Sequence, residues 1–150
     1  MERKNMATAA RGTSTAKTPA QLFALVFGVV YILIGIVGFA VTGFDNFAAA
    51  KEVEKLIFFQ INPLHNIVHI AVGALWIGAS KTHASAKSTN LLIGVVYGLV
   101  ALLGLLKVDF VYDLLNLNDA DNFLHLASAA LALYFGTVGA AGPARTTTTA

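Results

Sequence analysis

Three histidines and one aspartate are the residues of this 150-residue chain best suited to hold a metal ion. His65 and His69 stand four positions apart, a spacing that places both side chains on one face of a helix. Asp121 and His125 repeat that spacing in the second half of the chain. Imidazole nitrogens and carboxylate oxygens are common ligands of zinc and other divalent transition metals. The set predicts a metal-binding site, and His69 with His125 would equally suit the axial positions of a haem b iron.

A structural role for the same helical faces is the simpler interpretation. Four asparagines, Asn62, Asn66, Asn118 and Asn122, accompany the histidines in the two halves of the chain. Lipid offers no hydrogen-bond partners, so polar side chains on membrane-spanning helices turn inward and bond to neighbouring helices. On this interpretation the asparagines form a structural polar stripe, the histidines bond across the helices, and no cofactor is needed.

Two patterns of residues occur twice along the chain. The string Gly-Val-Val-Tyr begins at Gly28 and again at Gly94, and a further glycine follows at the same distance in both copies. The segments Asn62–His69 and Asn118–His125 share the pattern Asn-x-x-x-Asn-x-x-His. The repeat predicts two copies of one helical hairpin, related by an axis along the membrane normal. The repeat places Tyr31 and Tyr97, the tyrosines of the two Gly-Val-Val-Tyr strings, towards the cytoplasmic side. We expect them to be out of reach of the histidines there.

The composition indicates that lipid surrounds these hairpins. Hydrophobic residues make up 57% of the chain and charged residues 12%, whereas soluble proteins average roughly a half and a quarter. We predict an all-α membrane protein with four transmembrane helices in residues 19–142, between disordered polar tails at 1–18 and 143–150. Asn62 and Asn118 are predicted to be N-caps. The four apolar runs are Ala20–Thr42, Pro63–Ala79, Asn90–Leu106 and Asn122–Ala141.

The distribution of charge gives the orientation of the four helices. With four spans, both tails and the central loop lie on one side, and that side carries seven Lys or Arg and one acid. The opposite side carries three Lys and seven acids. Because cytoplasmic loops of membrane proteins are enriched in Lys and Arg, both termini are predicted to be cytoplasmic. The seven basic residues are Arg3, Lys4, Arg11, Lys17, Lys81, Lys87 and Arg145.

The connections between the predicted helices are not all simple turns. On the outer side, Phe47–Phe59 and Phe110–Leu117 mix aromatic, aliphatic and charged residues, and we expect each to form a short amphipathic helix in the interface. On the inner side, Ser80–Thr89 is predicted to be a loop, with His83 as a solvated surface residue.

The composition also disfavours several classes of function. The chain has no cysteine, which excludes disulfides, thiolate nucleophiles and cysteine-ligated metal centres. Its ten basic residues are scattered rather than gathered into a stripe, so we expect no nucleic-acid partner. No arrangement of residues matches a catalytic motif, and we expect no enzymatic activity.

The chain resembles a bacterial family of small four-helix membrane proteins that is known only as a domain of unknown function. The residues that carry the resemblance are Thr18–Gln21, Val29–Tyr31, Asn62–His69 and Ala120–His125. The resemblance covers residues 18–141 and implies an integral membrane protein without an assigned activity. We expect a non-enzymatic scaffold or accessory subunit of a larger complex in the bacterial cytoplasmic membrane, with lipid, other subunits or a second copy as partners. The alternative is a metal- or haem-binding membrane protein that uses the three histidines and Asp121.

Overall fold

The computed structural model describes residues 16–48 and 54–142 of the chain. Four long α-helices account for most of them, and a two-stranded antiparallel hairpin and a short helix occupy the two connections predicted to lie on the outer side. In chain order the elements are α1 (Pro19–Thr42), β1 (Lys55–Leu56), β2 (Phe59–Gln60), α2 (Pro63–Ala79), α3 (His83–Leu105), α4 (Asp109–Leu114), α5 (Asp119–Gly136) and a 3-10 turn (Val138–Ala140). The predicted predominantly helical fold is confirmed. The predicted tails lie outside the described residues, apart from residues 16–18.

The long helices pack as two hairpins, α1 with α2 and α3 with α5. Glycines let the two backbones of the first hairpin touch. A Cβ atom added to Gly28 would lie 2.8 Å from the carbonyl oxygen of Gly73, and one added to Gly73 would lie 2.6 Å from the carbonyl oxygen of Gly28. Because only glycine permits this approach, a larger side chain at either position would push α1 and α2 apart.

The second hairpin repeats a contact of the first. In α1, Gly38 lies against the side chain of Asn66, whose Oδ1 would overlap any Cβ at that glycine. In α3, Gly104 lies against the side chain of Asn122 in the same way. The two pairs are equivalent in the sequence repeat, so the two halves of the chain pack alike at these positions.

One asparagine joins all four long helices at the end of the bundle where α1 begins. Asn90 of α3 accepts a hydrogen bond from the Trp76 indole over 3.0 Å. Its amide nitrogen donates to the carbonyl oxygens of Ala20 in α1, at 3.2 Å, and of Phe135 in α5, at 3.5 Å. Both Asn90 and Trp76 are fully buried, so these bonds satisfy polar groups that have no access to solvent.

Two of the described helices, α1 and α3, are long and apolar enough to cross a membrane, with mean hydropathies of 2.7 and 1.9. Helix α2 is apolar but shorter, with 17 residues. Large apolar side chains on α1 and α3 are more than half exposed, among them Leu33, Ile36, Leu92 and Leu99. An apolar outer surface of this kind indicates contact with a membrane or with partner proteins.

The inner loop is shorter than predicted. Helix α3 begins at His83 rather than at Asn90, because the Thr82 side chain accepts the Ser85 N–H at 3.1 Å and caps the helix. His83 is half-buried, and its Nδ1 lies 3.0 Å from the Thr18 hydroxyl. The prediction of a solvated loop histidine is therefore wrong, because His83 links the starts of α1 and α3.

The two outer connections differ from each other. The segment Phe110–Leu117 includes most of α4, as predicted. In the segment Phe47–Phe59, the described residues contain no helix, and strands β1 and β2 pair Lys55 with Gln60 around a tight turn. The predicted amphipathic helix is wrong for these residues, and positions 49–53 lie outside the described part of the chain. Helix α5 ends at Gly136, before the predicted end at Ala141, because the backbone of Thr137 is not helical (φ −124°, ψ −101°).

Candidate metal site

Two asparagines fix the starts of the helices that carry the candidate site. Asn62 accepts the His65 N–H at 2.8 Å, and Asn118 accepts the Asp121 N–H at 3.0 Å. Pro63 occupies the first turn of α2, where its missing N–H costs no helical hydrogen bond. Both predicted N-caps are therefore confirmed.

The same two asparagines tie the hairpins to each other. The Asn62 amide nitrogen donates to the carbonyl oxygen of Leu114 at 3.0 Å, and that of Asn118 donates to the carbonyl oxygen of Phe58 at 2.8 Å. In both cases the acceptor stands four residues before the capping asparagine of the other hairpin. The two bonds are thus reciprocal, and they hold the starts of α2 and α5 in a fixed relation.

Three histidines meet between the hairpins. His65 and His69 of α2 and His125 of α5 are each 4% exposed or less. One ring nitrogen of each lies within 4.8 Å of the others, and the Nε2 atoms of His65 and His69 are 3.0 Å apart. The ring centroid of His125 lies 5.8 Å from that of His65 and 6.2 Å from that of His69. Three of the four predicted metal ligands therefore come together.

Asp121, the fourth predicted ligand, has a different position. Its Oδ2 accepts the Asn118 backbone N–H at 3.2 Å and completes a capping box at the start of α5. The converging ligand atoms within the described part of the chain belong to the three histidines. Asp121 lies beside the cluster, since it lines a cavity of about 220 Å³ that also reaches His65 and His69.

The rest of this cavity is apolar. Its other lining residues are aliphatic or aromatic and come from α1, α5 and the outer β-hairpin: Ile34, Leu124, Leu56, Ile57, Phe59 and Ile61. A molecule or ion beside the histidines would therefore contact a largely apolar surface.

Tyr31 and Tyr97, the tyrosines of the repeated string, reach the histidines, so the prediction that they cannot is wrong. The Tyr31 ring stacks on that of His69 with centroids 4.8 Å apart, and Tyr97 meets His125 edge-on at 5.1 Å. The two tyrosine rings contact each other at 5.7 Å. Tyr31 lies at the middle of the 24-residue α1 and His69 near the middle of the 17-residue α2, so antiparallel packing brings them level.

Several buried polar atoms of the site have no hydrogen-bond partner within residues 16–48 and 54–142. They include the Nδ1 atoms of all three histidines and both polar side-chain atoms of Asn122. The equivalent Asn66, by contrast, donates to the Thr42 hydroxyl at 3.0 Å. Buried polar atoms are nearly always paired, and each one that is not costs stability. The unpaired atoms therefore gather around the histidine cluster.

Two further asparagines bond between the hairpins and are not marked by any of the predicted patterns. Asn90 is a single amide in an apolar run. The clue to its role is Trp76, because a buried indole N–H requires a hydrogen-bond acceptor and Asn90 provides it. Asn116 donates to the carbonyl oxygen of Ile61 at 3.1 Å and so bonds the second outer connection to the first. It lies between two helices, where no periodic pattern marks it.

The chain belongs to a family described as a domain of unknown function (DUF4383), whose model matches residues 21–138. That span contains nearly all of the four long helices and the whole histidine cluster. No curated protein and no solved structure shows a significant match to the chain. Membership confirms the resemblance to a family of unknown function, and the function must be inferred from the site.

Proposed function

We propose that this chain is a non-enzymatic integral membrane protein whose two hairpins hold one transition-metal ion on His65, His69 and His125. The observation that carries the proposal is the convergence of three buried imidazoles from two helices, with one ring nitrogen of each within 4.8 Å of the others. Three imidazoles with a free fourth position form a ligand set suited to zinc and copper.

The distances within the cluster are close to those that an ion requires. Zinc–nitrogen bonds of ~2.0–2.1 Å in a tetrahedral arrangement place the ligand nitrogens roughly 3.4 Å apart. The Nε2 atoms of His65 and His69 are 3.0 Å apart. No separation among the three ligand atoms exceeds 4.8 Å, which is about 1.4 Å more than the tetrahedral value.

The contacts of the histidines argue against a purely hydrogen-bonded role. The bond between His65 and His69 lies within α2 and joins no two helices. The bonds that link the hairpins come instead from Asn62 and Asn118. The buried rings have lost their hydration, and the bond between His65 and His69 does not include His125. A cation bound by all three rings would join His125 of α5 to the pair on α2.

A single ion fits the cluster better than haem b does. A porphyrin between His69 and His125 would pass between Tyr31 and Tyr97, because each tyrosine ring packs on one of the two histidines. The tyrosine rings are in contact, and the adjoining cavity is about 220 Å³. The two hairpins would have to separate to admit the macrocycle, whereas an ion requires only a small side-chain movement.

We further propose that all four long helices cross the cytoplasmic membrane of a bacterium, with both termini in the cytoplasm. The lengths and hydropathies of α1 and α3 support this placement, and the hairpin packing carries α2 and α5 alongside them. The seven basic residues on the side of the termini support the orientation. In this placement the histidine cluster lies in the outer half of the bundle, below β1, β2 and α4.

The same bundle is suited to act as a scaffold or an accessory subunit of a larger membrane complex. The reciprocal bonds of Asn62 and Asn118 make the two hairpins one unit without any ion. The exposed apolar surfaces of α1 and α3 are available to lipid, to other subunits or to a second copy of the chain.

Cobalt binding by the full chain, purified in detergent, tests the metal proposal. One Co²⁺ per chain is expected, with the visible absorption of a four-coordinate ion. The variants His69→Gln and His125→Gln should each lose the bound ion. His83→Gln is the matched control, because His83 is the fourth histidine of the chain and lies outside the cluster. Equal cobalt binding by all four proteins would contradict the proposal.

A further inference from the structure

A polar groove and an apolar groove meet at the end of the bundle where α1 begins. The polar groove has a volume of about 410 Å³ and includes Lys17, Lys81 and His83. None of the described residues that line it is an acid. The apolar groove, about 390 Å³, runs from Lys17 along α1 past Leu22 to Val26. Lys17 lines both grooves, so together they form one surface with a basic head and an apolar stem.

The floor of the apolar stem is aromatic. The Phe23 ring stacks on Phe27 at 4.2 Å and on Phe135 of α5 at 4.8 Å, which places three rings side by side along the seam between α1 and α5. Leu22 and Val26 stand on the rim and are about half exposed. A floor of aromatic rings with an aliphatic rim offers a large apolar contact area to a hydrocarbon chain.

The head of the groove favours an anion. The Lys17 Nζ lies 3.4 Å from the carbonyl oxygen of Ser80, which holds this ammonium group at the junction of the two grooves. The Gln21 amide donates to the same carbonyl at 3.0 Å and fixes the inner wall. Lys81 brings a second positive charge to the same groove. Two ammonium groups without an acid among the lining residues attract a phosphate group.

We propose that this joined groove binds one anionic phospholipid, with its phosphate at Lys17 and Lys81 and one acyl chain over Phe23, Phe27 and Phe135. The inference rests on the membrane placement proposed above and is independent of the metal ion. Both lysines lie on the side predicted to be cytoplasmic, where basic residues next to the membrane are attracted to anionic lipid headgroups. The basic head and the apolar stem of the groove therefore both favour an anionic phospholipid.

The sequence repeat indicates that this site exists at the seam between α1 and α5 and not at the equivalent seam between α2 and α3. The positions of α3 equivalent to Leu22 and Phe23 are occupied by Ser88 and Thr89. The position of α2 equivalent to Phe135 is occupied by an alanine. The seam between α2 and α3 thus lacks the corresponding aromatic floor, and we expect one tightly held lipid per chain.

Native mass spectrometry of the full chain in detergent tests this proposal, with phosphatidylglycerol and phosphatidylcholine of identical acyl chains as probes. Wild-type protein should retain one phosphatidylglycerol and bind it at least about tenfold more tightly than phosphatidylcholine. The double variant Lys17→Gln/Lys81→Gln should lose this preference, and Val26→Trp, which fills the stem, should weaken binding of both lipids. Lys107→Gln, an exposed lysine at the other end of the bundle, is the control and should bind as wild type does. Thermal unfolding of each variant verifies that it is folded.

Equal retention of the two lipids by the wild type, or unchanged phosphatidylglycerol binding by the double variant, would overturn the proposal. Displacement of the lipid by glycerol 3-phosphate at a similar concentration would also overturn it, because recognition would then need no acyl chain. A failure of the membrane placement is detected separately, as release of the chain from membranes at alkaline pH.

Discussion

The Nε2 atoms of His65 and His69 lie 3.0 Å apart in the interior of the bundle, with His125 facing them from the other hairpin. Neutral imidazoles this close share one proton between the two nitrogens, so one ring donates and the other accepts. Two nitrogens that bind the same ion stand at nearly the same separation. An ion can take the place of this proton with little movement, because the donating ring can carry its proton on Nδ1 instead and then both Nε2 lone pairs face the ion.

An ion bound at this pair should stabilise the folded chain. Ligand at about 100 times its Kd adds ~2.7 kcal/mol to the free energy of unfolding. We expect Zn²⁺ to raise the Tm of the wild type and a chelator to reverse the effect. In His69→Gln and His125→Gln, the Tm should not respond to either addition, because glutamine preserves hydrogen bonding but is a poor metal ligand. A wild-type Tm that is the same with zinc and with chelator would count against the site.

The contacts of Gly38 and Gly104 predict that alanine is destabilising at both positions. An added methyl group would overlap the side chain of Asn66 or Asn122, and overpacking of this kind costs about 1–3 kcal/mol. Gly78→Ala is the control, since no atom of the described residues lies within 4 Å of an added Cβ there. It should be neutral or stabilising by up to about 1 kcal/mol. Thermal unfolding in detergent measures the three variants, and equal effects would refute the packing described for the two hairpins.

The two bonds made by Asn62 can be separated by substitution. Serine keeps the capping acceptor but cannot reach the Leu114 carbonyl, so Asn62→Ser should lose only the bond between hairpins, about 1 kcal/mol. Asn62→Ala should lose the cap as well and cost about 2 kcal/mol in total. Thr82→Ala serves as the cap-only comparison, because Thr82 caps α3 with a hydroxyl. If Asn62→Ser unfolds at the wild-type temperature, the reciprocal bonds do not hold the hairpins together.

The proposed topology predicts opposite accessibility for the two ends of the bundle. The chain has no cysteine, so single cysteines can be introduced without interference. Asp45→Cys lies in an outer connection and Thr82→Cys in the inner turn, and both positions are exposed. An impermeant maleimide added to intact cells should label Asp45→Cys, whereas Thr82→Cys should react only after the membrane is opened. Labelling of both from the same side would exclude the four-span arrangement.

The helix starts and the approach of the histidines could be predicted from the sequence because both depend on local patterns. Capping by Asn62 and Asn118 involves residues three positions away. The spacing of His65 and His69 fixes their common face, and the repeat places His125 opposite them. These predictions needed no knowledge of how the helices are tilted or where they end.

The features that were missed depend on helix lengths and long-range contacts. Tyr31 reaches His69 because both lie near the middle of their helices, and those lengths became known only with the boundaries of α1 and α2. Asp121 is an exception, because its capping bond to the Asn118 N–H spans only three residues and the local pattern Asn-x-x-Asp indicates it. The β-hairpin at Lys55–Gln60 lies in a segment whose composition suits a helix as well as a pair of strands. Residues of the hairpin line the cavity beside His65 and His69, and this contact with a distant part of the chain favours strands.

X-ray absorption spectroscopy of the zinc-loaded full chain can establish the metal site itself, because it counts the ligands and identifies imidazole. We expect three imidazole nitrogens at ~2.0–2.1 Å in the wild type and in His83→Gln, and fewer in His125→Gln. A zinc ion held by oxygen ligands, or a spectrum that is unchanged in His125→Gln, would contradict it.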